Sequence, residues 1–202
     1  MIAIIDYGMG NLRSVEKAFA KLGADVIVTS DASIIASADK VVLPGVGAFG
    51  DCMHNLQEYR LIDVIQEVIG KGTPFLGICL GLQLLFEGSE EDPGVKGLGI
   101  LPGFVRRIQA PGFKIPHMGW NSLNLKANSP LYHEMLKSPY VYFVHSYHAV
   151  PDNPAIITAT TEYGSTVTAS VGCGTLQAVQ FHPEKSGAAG MKLLQNFKEL
   201  SL

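Results

Sequence analysis

Two short segments, far apart in the chain, carry residue types that together could form a cysteine nucleophile and its base. The first is Gly77-Ile78-Cys79-Leu80-Gly81, a G-x-C-x-G pattern between the apolar run 74–78 and a predicted amphipathic helix. This pattern is typical of a nucleophile elbow, a sharp strand-to-helix turn that lifts one side chain out of a sheet. Glycines flank the cysteine because larger residues there would clash with neighbouring backbone. The turn also places Cys79 at a helix N-terminus, where the helix dipole and free N–H groups favour a thiolate.

The second segment is His182-Pro183-Glu184, which directly follows a predicted strand over residues 176–180. A thiolate nucleophile needs a base, and the base needs a group that orients it. His182 falls at the end of a strand, the edge at which open α/β sheets bind their ligands. Glu184 follows in a turn stiffened by proline, so its carboxylate can bond one imidazole nitrogen while the other faces Cys79. An isolated His-Pro-Glu is more often a surface histidine beside a solvated acid, and its pairing with the elbow changes that interpretation.

A third segment, Leu43-Pro44-Gly45-Val46-Gly47-Ala48-Phe49-Gly50, also begins at the end of a predicted strand. Its three glycines free the backbone to turn N–H groups toward a ligand. Attack on an amide carbonyl produces an oxyanion, which two N–H donors commonly stabilise. We therefore predict the backbone amides of Val46 and Leu80 as the oxyanion donors. The alternative is an ordinary glycine turn.

The elements that position these segments follow from the hydrophobic pattern. Apolar runs at residues 2–5, 26–29, 41–43 and 74–78 alternate with helical stretches over 11–22 and up to residue 70. This alternation predicts βαβ units, with an open, mostly parallel sheet and helices on both faces. In the second half, strands at 105–108, 140–144, 156–161, 166–171 and 176–180 have short connections and predict an antiparallel extension. A final helix is predicted over 188–200. We expect an α/β fold in a single domain spanning residues 1–202.

Composition excludes several other classes of protein. The 202 residues are 47% hydrophobic and 16% charged, as in a compact α/β domain, and the formal net charge of -3 gives no reason to expect nucleic acid as a partner. No apolar run approaches the roughly 18 residues of a spanning helix, and the N-terminal apolar stretch is too short for a signal peptide. We expect a cytoplasmic protein without a membrane partner.

Two further cysteines and three histidines are candidates for other chemistry. Cys52, in a predicted helix, and Cys173, in a predicted turn, form no CxxC pair and favour structural positions rather than a disulfide or a nucleophile. His117, His145 and His148 raise the question of a metal, but their spacing matches no standard zinc pattern. We therefore predict no metal and no cofactor.

Together the three segments resemble the class I (triad) glutamine amidotransferases, whose fold is flavodoxin-like, and the resemblance covers essentially the whole chain. That family carries a Gly-x-Cys-x-Gly elbow, a His-Pro-Glu near the C-terminus and a Pro-Gly-Gly-type oxyanion loop, and all three are present here in the expected order. Within the family the chain is similar to the glutaminase subunits of imidazole glycerol phosphate synthase. Four stretches carry that similarity: Asp6-Tyr7-Gly8-Met9-Gly10-Asn11, residues 90–99, Pro116-His117-Met118-Gly119-Trp120-Asn121, and Phe143-Val144-His145-Ser146-Tyr147-His148.

The resemblance implies a Cys79-His182-Glu184 triad that hydrolyses glutamine to glutamate and ammonia through a γ-glutamyl thioester. It implies that the glutamine is held by Gly47, Gln83, Glu91, Ser146 and Tyr147. Ammonia would pass to a (β/α)-barrel cyclase subunit in a heterodimer, which forms imidazole glycerol phosphate and aminoimidazole carboxamide ribonucleotide in histidine biosynthesis. By the same resemblance, the interface with that subunit would include Asn11, Trp120 and Lys185.

Two alternative functions stay open at this point. The first is the glutaminase subunit of another amidotransferase, serving anthranilate, guanylate or vitamin B6 synthesis, against which the segment 116–121 argues. The second is a non-catalytic regulatory or scaffold relative. The presence of Cys79, His182 and Glu184 argues against that second alternative, because an inactive relative usually lacks one of them.

Overall fold

The computed structural model describes residues 1–126 and 129–200. Its strands are β1 (Ile2–Ile5), β2 (Val26–Thr29), β3 (Lys40–Gly45), β4 (Phe75–Cys79), β5 (Gly103–Arg107), β6 (His117–Ser122), β7 (Asn124–Leu125), β8 (Tyr140–His145), β9 (Tyr147–Pro151), β10 (Ile157–Glu162), β11 (Thr166–Cys173) and β12 (Leu176–Val179). Its helices are α1 (Leu12–Lys21), α2 (Ala32–Ser37), α3 (Phe49–Glu58), α4 (Ile62–Gly70), α5 (Leu80–Gln83) and α6 (Gly187–Glu199).

Eight strands form one mixed sheet in the order β2-β1-β3-β4-β12-β11-β10-β7. The first five of these run parallel to one another, and the last three join as antiparallel neighbours. The predicted α/β class, with a mostly parallel sheet and an antiparallel extension, is confirmed. Strands β4 and β12 are adjacent, so the segments that follow them emerge at the same edge of the sheet.

Helices cover both faces of this sheet, and the central strands β1, β4 and β12 are accordingly buried at every position. In β1, Ala3 and Ile5 belong to one core cluster and Ile2 and Ile4 to the other, as the two-residue period of a strand requires. The first cluster contains the buried faces of α2, α3, α4 and α5. The second is closed by α1 and α6, whose Phe19 and Phe197 rings meet edge to face at 6.2 Å. Hence the sheet is rigid where the candidate residues leave it.

The helical stretch expected to run without interruption to residue 70 consists of two helices, α3 and α4. The chain breaks at Arg60, which has a φ of 55°. The N–H of Leu61 donates to the Leu56 carbonyl at 3.0 Å and that of Arg60 to the Gln57 carbonyl at 3.0 Å, which is the Schellman pattern of a helix end. Glycine usually occupies the left-handed position of this motif, and an arginine there gives no sequence signal.

Two antiparallel ribbons lie beside the main sheet, β5 with β9 and β6 with β8. Strands β6, β7 and β9 were not predicted. For β6 the reason is its sequence, His-Met-Gly-Trp-Asn-Ser, which has no regular alternation of buried apolar and exposed polar residues. Ribbon β6–β8 carries Trp120 and the histidines at 117 and 145. Within residues 1–126 and 129–200, no helix is long and apolar enough to cross a membrane.

Candidate active site

Cys79 is the last residue of β4, and α5 begins at the next residue. Its φ of 56° and ψ of -111° lie in a region that non-glycine residues rarely occupy. The glycines around it are required by packing. A Cβ on Gly81 would lie 1.9 Å from the Leu43 carbonyl oxygen, and one on Gly77 would lie 2.8 Å from the Gly81 carbonyl oxygen. The chain therefore forms a tight strand-to-helix elbow whose backbone leaves no space for side chains at 77 and 81.

The helix after the elbow is a single turn and, against the prediction, is not amphipathic, because all four of its residues are buried. Helix α5 has only four residues, and the following residues Leu84, Leu85 and Phe86 are completely buried in the core. With every side buried, this segment has no polar face that would sustain a surface helix. One turn of helix has a small dipole, so stabilisation of a Cys79 thiolate has to come mainly from neighbouring side chains.

His182 and Glu184 form a hydrogen-bonded pair in the interior. The Nδ1 of His182 lies 2.9 Å from Oε1 of Glu184, and the two side chains are 3% and 1% exposed. Burial by itself lowers the pKa of His182. Hydrogen bonds with Cys79 and Glu184, and the negative charges of both, outweigh burial and raise the pKa of His182 to about 9. The site therefore favours the imidazolium form of His182.

The turn that carries this pair is fastened to β8. The His182 N–H donates to the Tyr142 carbonyl at 3.0 Å, and the Ser186 hydroxyl donates to the His182 carbonyl at 2.6 Å. The same hydroxyl accepts the Tyr142 N–H at 3.0 Å. Glu184 is less fully satisfied, because its Oε2 is buried and has no hydrogen-bond partner within the described ranges. Its charge therefore acts chiefly on the imidazole.

The glycine-rich loop after β3 contacts the elbow directly. A Cβ on Gly45 would lie 2.9 Å from the Gly81 nitrogen, so the two backbones meet at van der Waals distance. Gly47 has a φ of 97°, and Val46 is 37% exposed. The Val46 carbonyl accepts a hydrogen bond from the buried Cys52 thiol at 3.5 Å. Val46 and Leu80, the predicted oxyanion donors, both line one small space.

That space is a cavity of about 290 Å³ next to the nucleophile. It brings together all the predicted substrate-binding residues and adds three that were not predicted, Pro116, Val144 and His145. Its lining comprises Val46, Gly47, Cys79, Leu80, Gln83, Glu91, Pro116, Val144, His145, Ser146, Tyr147 and His182. Glu184 lies behind His182 and does not line the cavity.

Glu91 reaches the cavity from a loop that also caps α3. Ala48, at the N-cap position, has no side-chain acceptor, so the first N–H groups of α3 are bound from elsewhere. The Phe49 N–H donates to Oε2 of Glu91 at 2.9 Å, and the Gly50 N–H donates to Oδ2 of Asp92 at 2.7 Å. Burial raises the pKa of Glu91, and the hydrogen bond from Phe49 opposes that rise. The loop and the helix thereby hold a carboxylate at the rim of the cavity.

A comparison with known families identifies the chain. Residues 3–200 match the family described as glutamine amidotransferase class-I. The chain belongs to the class-I glutamine amidotransferase family. Two curated relatives have the name imidazole glycerol phosphate synthase subunit HisH. The one from Thermosynechococcus vestitus is 54% identical over 202 residues, covering 98% of this chain and 96% of the relative. The one from Methanothermobacter thermautotrophicus is 54% identical over 200 residues, covering 99% and 98%.

Solved structures support the same fold. A crystal structure of a glutamine amidotransferase superimposes with a TM-score of 0.76 at 19% identity, covering 98% of both chains. The structure of PurLQS from Thermotoga maritima gives a TM-score of 0.75 at 19% identity, covering 98% of this chain and 97% of that one. At these identities the likeness concerns the fold alone. The resemblance expected from the sequence motifs is confirmed at the level of the class-I glutamine amidotransferase family.

Sequence reasoning missed one residue that touches the nucleophile of this amidotransferase. The Gln180 amide donates to Sγ of Cys79 at 3.8 Å, and its Oε1 accepts from Nε2 of Gln83 at 3.0 Å. The signal was present in the sequence, because Gln180 and His182 are two residues apart and share a face of an extended chain. What the sequence lacked was the register that pairs Val179 with Ile78 and so sets Gln180 beside Cys79.

The predicted interface residues lie near the cavity but do not line it. Trp120 is 56% exposed and meets Tyr142 edge to face at 6.2 Å. Lys185 is exposed on the turn after Glu184. Asn11 lines a hollow of about 10 Å³ together with Val46, His182 and Glu184.

The three histidines that raised the question of a metal have other partners. His117 and His145 are hydrogen-bonded to each other at 2.9 Å, and Nδ1 of His148 accepts the Thr168 N–H at 3.2 Å. Within residues 1–126 and 129–200, no group of three or more His, Cys, Asp or Glu side chains could hold a metal ion.

Proposed function

We propose that this chain is the glutaminase subunit of an imidazole glycerol phosphate synthase, acting as one domain of residues 1–202. The observation that carries the proposal is the buried His182–Glu184 pair at 2.9 Å, with His182 and Cys79 lining the same cavity, which is large enough for an amino acid. Such an arrangement supplies a thiolate, a general acid and base, and a fixed orienting carboxylate. The HisH relatives, at 54% identity over nearly full length, support the assignment to an imidazole glycerol phosphate synthase.

In the first half of the reaction, Sγ of Cys79 attacks the side-chain amide carbon of glutamine and a C–S bond forms. The carbonyl oxygen becomes an oxyanion, for which the N–H groups of Leu80 and Val46 are the proposed donors. The His182 imidazolium then gives its proton to the amide nitrogen. The C–N bond breaks, ammonia leaves and a γ-glutamyl thioester remains.

In the second half, neutral His182 takes a proton from water as that water attacks the thioester carbon. The C–S bond breaks, glutamate leaves and the Cys79–His182 ion pair is restored. Glu184 stays ionised throughout and stabilises the imidazolium in the resting enzyme. No cofactor enters either half of this scheme.

The proposed substrate contacts follow from the lining of the cavity. The carboxylate of Glu91 at the rim suits the α-ammonium group of glutamine, and Gln83 and Tyr147 face the same space. Gly47 and Ser146 complete the binding wall. Burial of Glu91 strengthens its attraction for a cation, because the pair would form in a site with little water.

The proposed partner is a (β/α)-barrel cyclase subunit that receives the ammonia. On this chain, the exposed Trp120 on β6 and the exposed Lys185 beyond Glu184 offer it an apolar and a charged contact close to the cavity. Asn11 is the third proposed contact. An exposed tryptophan is the type of side chain that anchors protein interfaces.

The test is a coupled assay with the purified chain and a histidine-pathway cyclase. Glutamine should support product formation in the wild-type complex and fail to support it with Cys79→Ser. Ammonium chloride should restore product formation with Cys79→Ser, because external ammonia bypasses the glutaminase. A chain that hydrolyses glutamine but never supplies this cyclase, while supplying another amidotransferase synthase, would overturn the pathway assignment and leave the glutaminase chemistry intact.

A further inference from the structure

A chain of hydrogen bonds through two buried histidines ends at the glutamine cavity. Nδ1 of His117 and Nε2 of His145 lie 2.9 Å apart, and the two residues are only 2% and 6% exposed. On one side, Nε2 of His117 lies 3.2 Å from the Asn121 amide nitrogen. On the other side, Nδ1 of His145 lies 2.9 Å from the Tyr147 carbonyl oxygen. The mechanism above assigns no role to either histidine.

The direction of every hydrogen bond in this chain is dictated from its two ends. At one end the Tyr147 carbonyl can only accept, so Nδ1 of His145 carries a proton. At the other end the Ser122 N–H can only donate, and it donates to Oδ1 of Asn121 at 2.8 Å. Asn121 therefore turns its amide nitrogen toward His117, whose Nε2 accepts. In neutral rings, His117 must then donate from Nδ1 to Nε2 of His145.

Both rings are held in the neutral form and in one orientation. Burial lowers the pKa of His117 to about 4 and that of His145 to about 3. Phe143 stacks on His117 at 4.6 Å with an interplanar angle of 24°. Tyr163 stacks on it at 4.1 Å with an angle of 26°. These contacts stop the His117 ring from turning over, which would exchange the places of its two nitrogens.

Where the chain reaches the cavity, it fixes a polar group of the binding wall. The Tyr147 carbonyl accepts from His145 and also from Nε2 of Gln83 at 3.1 Å. The second Nε2 proton of Gln83 goes to Oε1 of Gln180 at 3.0 Å, and Gln180 donates to Sγ of Cys79. Because both amide protons of Gln83 are used, its Oε1 is the atom left for a ligand.

We propose that His117 and His145 are positioning residues that, by their fixed order of donors, set the Tyr147 carbonyl and the Gln83 amide for glutamine binding. The inference rests on the proposed glutaminase function. His117 makes His145 an Nδ1–H donor, His145 orients the Tyr147 carbonyl, and that carbonyl fixes which end of the Gln83 amide faces the substrate. Without the His117 proton, His145 can take the other tautomer and the carbonyl loses a donor.

The matched variants are His117→Asn and His117→Leu, which have nearly the same shape. The asparagine amide nitrogen falls close to the position of Nδ1 and still donates to His145, whereas leucine cannot donate. We expect His117→Leu to raise the KM for glutamine about tenfold and to change kcat less than about threefold, as for loss of one hydrogen bond in the binding wall. His117→Asn should keep KM within about threefold of wild type. Thermal unfolding of each variant checks that it is folded.

The second measurement is independent of activity. Long-range ¹H–¹⁵N NMR spectra of the wild-type chain should show Nδ1 protonated and Nε2 unprotonated in both His117 and His145, and His145 should lose this tautomer in His117→Leu. A wild type with Nε2–H in either ring, or equal KM changes in the two variants, would overturn the inference. A wild type without any glutaminase activity would instead overturn the proposed function, and the tautomer spectra would then decide the inference alone.

Discussion

Replacing Glu184 by glutamine removes one buried charge behind His182 and keeps the size of the side chain. The carboxylate lies 2.9 Å from Nδ1 of His182 and is 1% exposed, so its field on the imidazole is poorly screened by water. The amide oxygen of glutamine can still accept the Nδ1 proton. The substitution therefore changes the charge of the site more than its geometry.

The expected magnitude follows from the pKa of His182. Its rise from the ordinary value near 6.5 to about 9 corresponds to roughly 3 kcal/mol of extra stabilisation of the imidazolium, at about 1.4 kcal/mol per unit. Cys79 and Glu184 share this effect against the opposing cost of burial. We expect Glu184→Gln to lower the pKa of His182 by about 1–2 units, within the range of a single close charge. Glutamine hydrolysis should fall about ten- to a hundredfold, less than with loss of Cys79.

The same shift predicts how stability depends on pH. A histidine whose pKa is raised on folding stabilises the protein fully below its unfolded pKa, and this stabilisation is lost as pH rises through the folded pKa. Wild-type stability should therefore decline between about pH 6.5 and 9. Glu184→Gln should flatten that decline. Glu58→Gln is the matched control, because Glu58 pairs with His54 at 3.2 Å on the surface, where both side chains are more than half exposed.

The assay is ¹³C NMR titration of the His182 ring, together with urea unfolding at several pH values. In the wild type the ring should titrate near pH 9, and in Glu184→Gln it should titrate at a lower pH. A His182 that titrates at the same pH in both proteins would show that the Glu184 charge does not act on the imidazole. The orienting role of the pair would then have to be abandoned.

Three further substitutions, two of them with a control substitution elsewhere in the chain, test the elbow and its loop. Cys79→Ser should reduce glutamine hydrolysis by more than about a thousandfold, whereas the exposed Cys173→Ser should leave it unchanged, as measured by ammonia release. Gly81→Ala should lower the free energy of unfolding by more than about 3 kcal/mol, because its Cβ would enter a backbone oxygen of β3. Gly70→Ala, at a helical position with open space, should raise it by up to about 1 kcal/mol in the same urea series. Gly47→Pro cannot keep a φ of 97°, so circular dichroism should stay native while hydrolysis falls at least about tenfold.

The central sheet could be predicted from the sequence because its strands are apolar on both faces. Strands β1 and β2 both have the predicted bounds; β1 is buried at every position, and the edge strand β2 is half-buried at every position. The ribbon β6–β8 could not be predicted, because the apolar side chains of β6 are exposed and its buried side chain is a histidine. Met118 and Trp120 point to solvent while His117 lies in the interior. Its pairing becomes visible only when β8 is placed beside it.

The candidate site divides in the same way between local and distant contacts. His182 and Glu184 are two residues apart, so a tripeptide and a proline suffice to predict that they can meet. Gln180 touches Cys79, 101 residues earlier, only because β12 lies beside β4 in one particular register. Asp92 likewise caps α3 from a distant loop. Sequence motifs predict contacts within one turn, such as His182 with Glu184. They do not give the strand register on which contacts between distant segments depend.

Cys79 and His182 can meet only after strands β4 and β12 have paired. The His182–Glu184 pair needs only the turn after β12, but the placement of His182 beside Cys79 in one cavity needs β4 and β12 already paired. Since α5 has a single turn, stabilisation of a thiolate at Cys79 falls mainly to His182 and to the Gln180 amide, which also follows β12. The activated nucleophile is therefore a product of the completed sheet. A chain whose β12 has not docked contains the same three residues, yet its cysteine lacks the base that makes it a nucleophile.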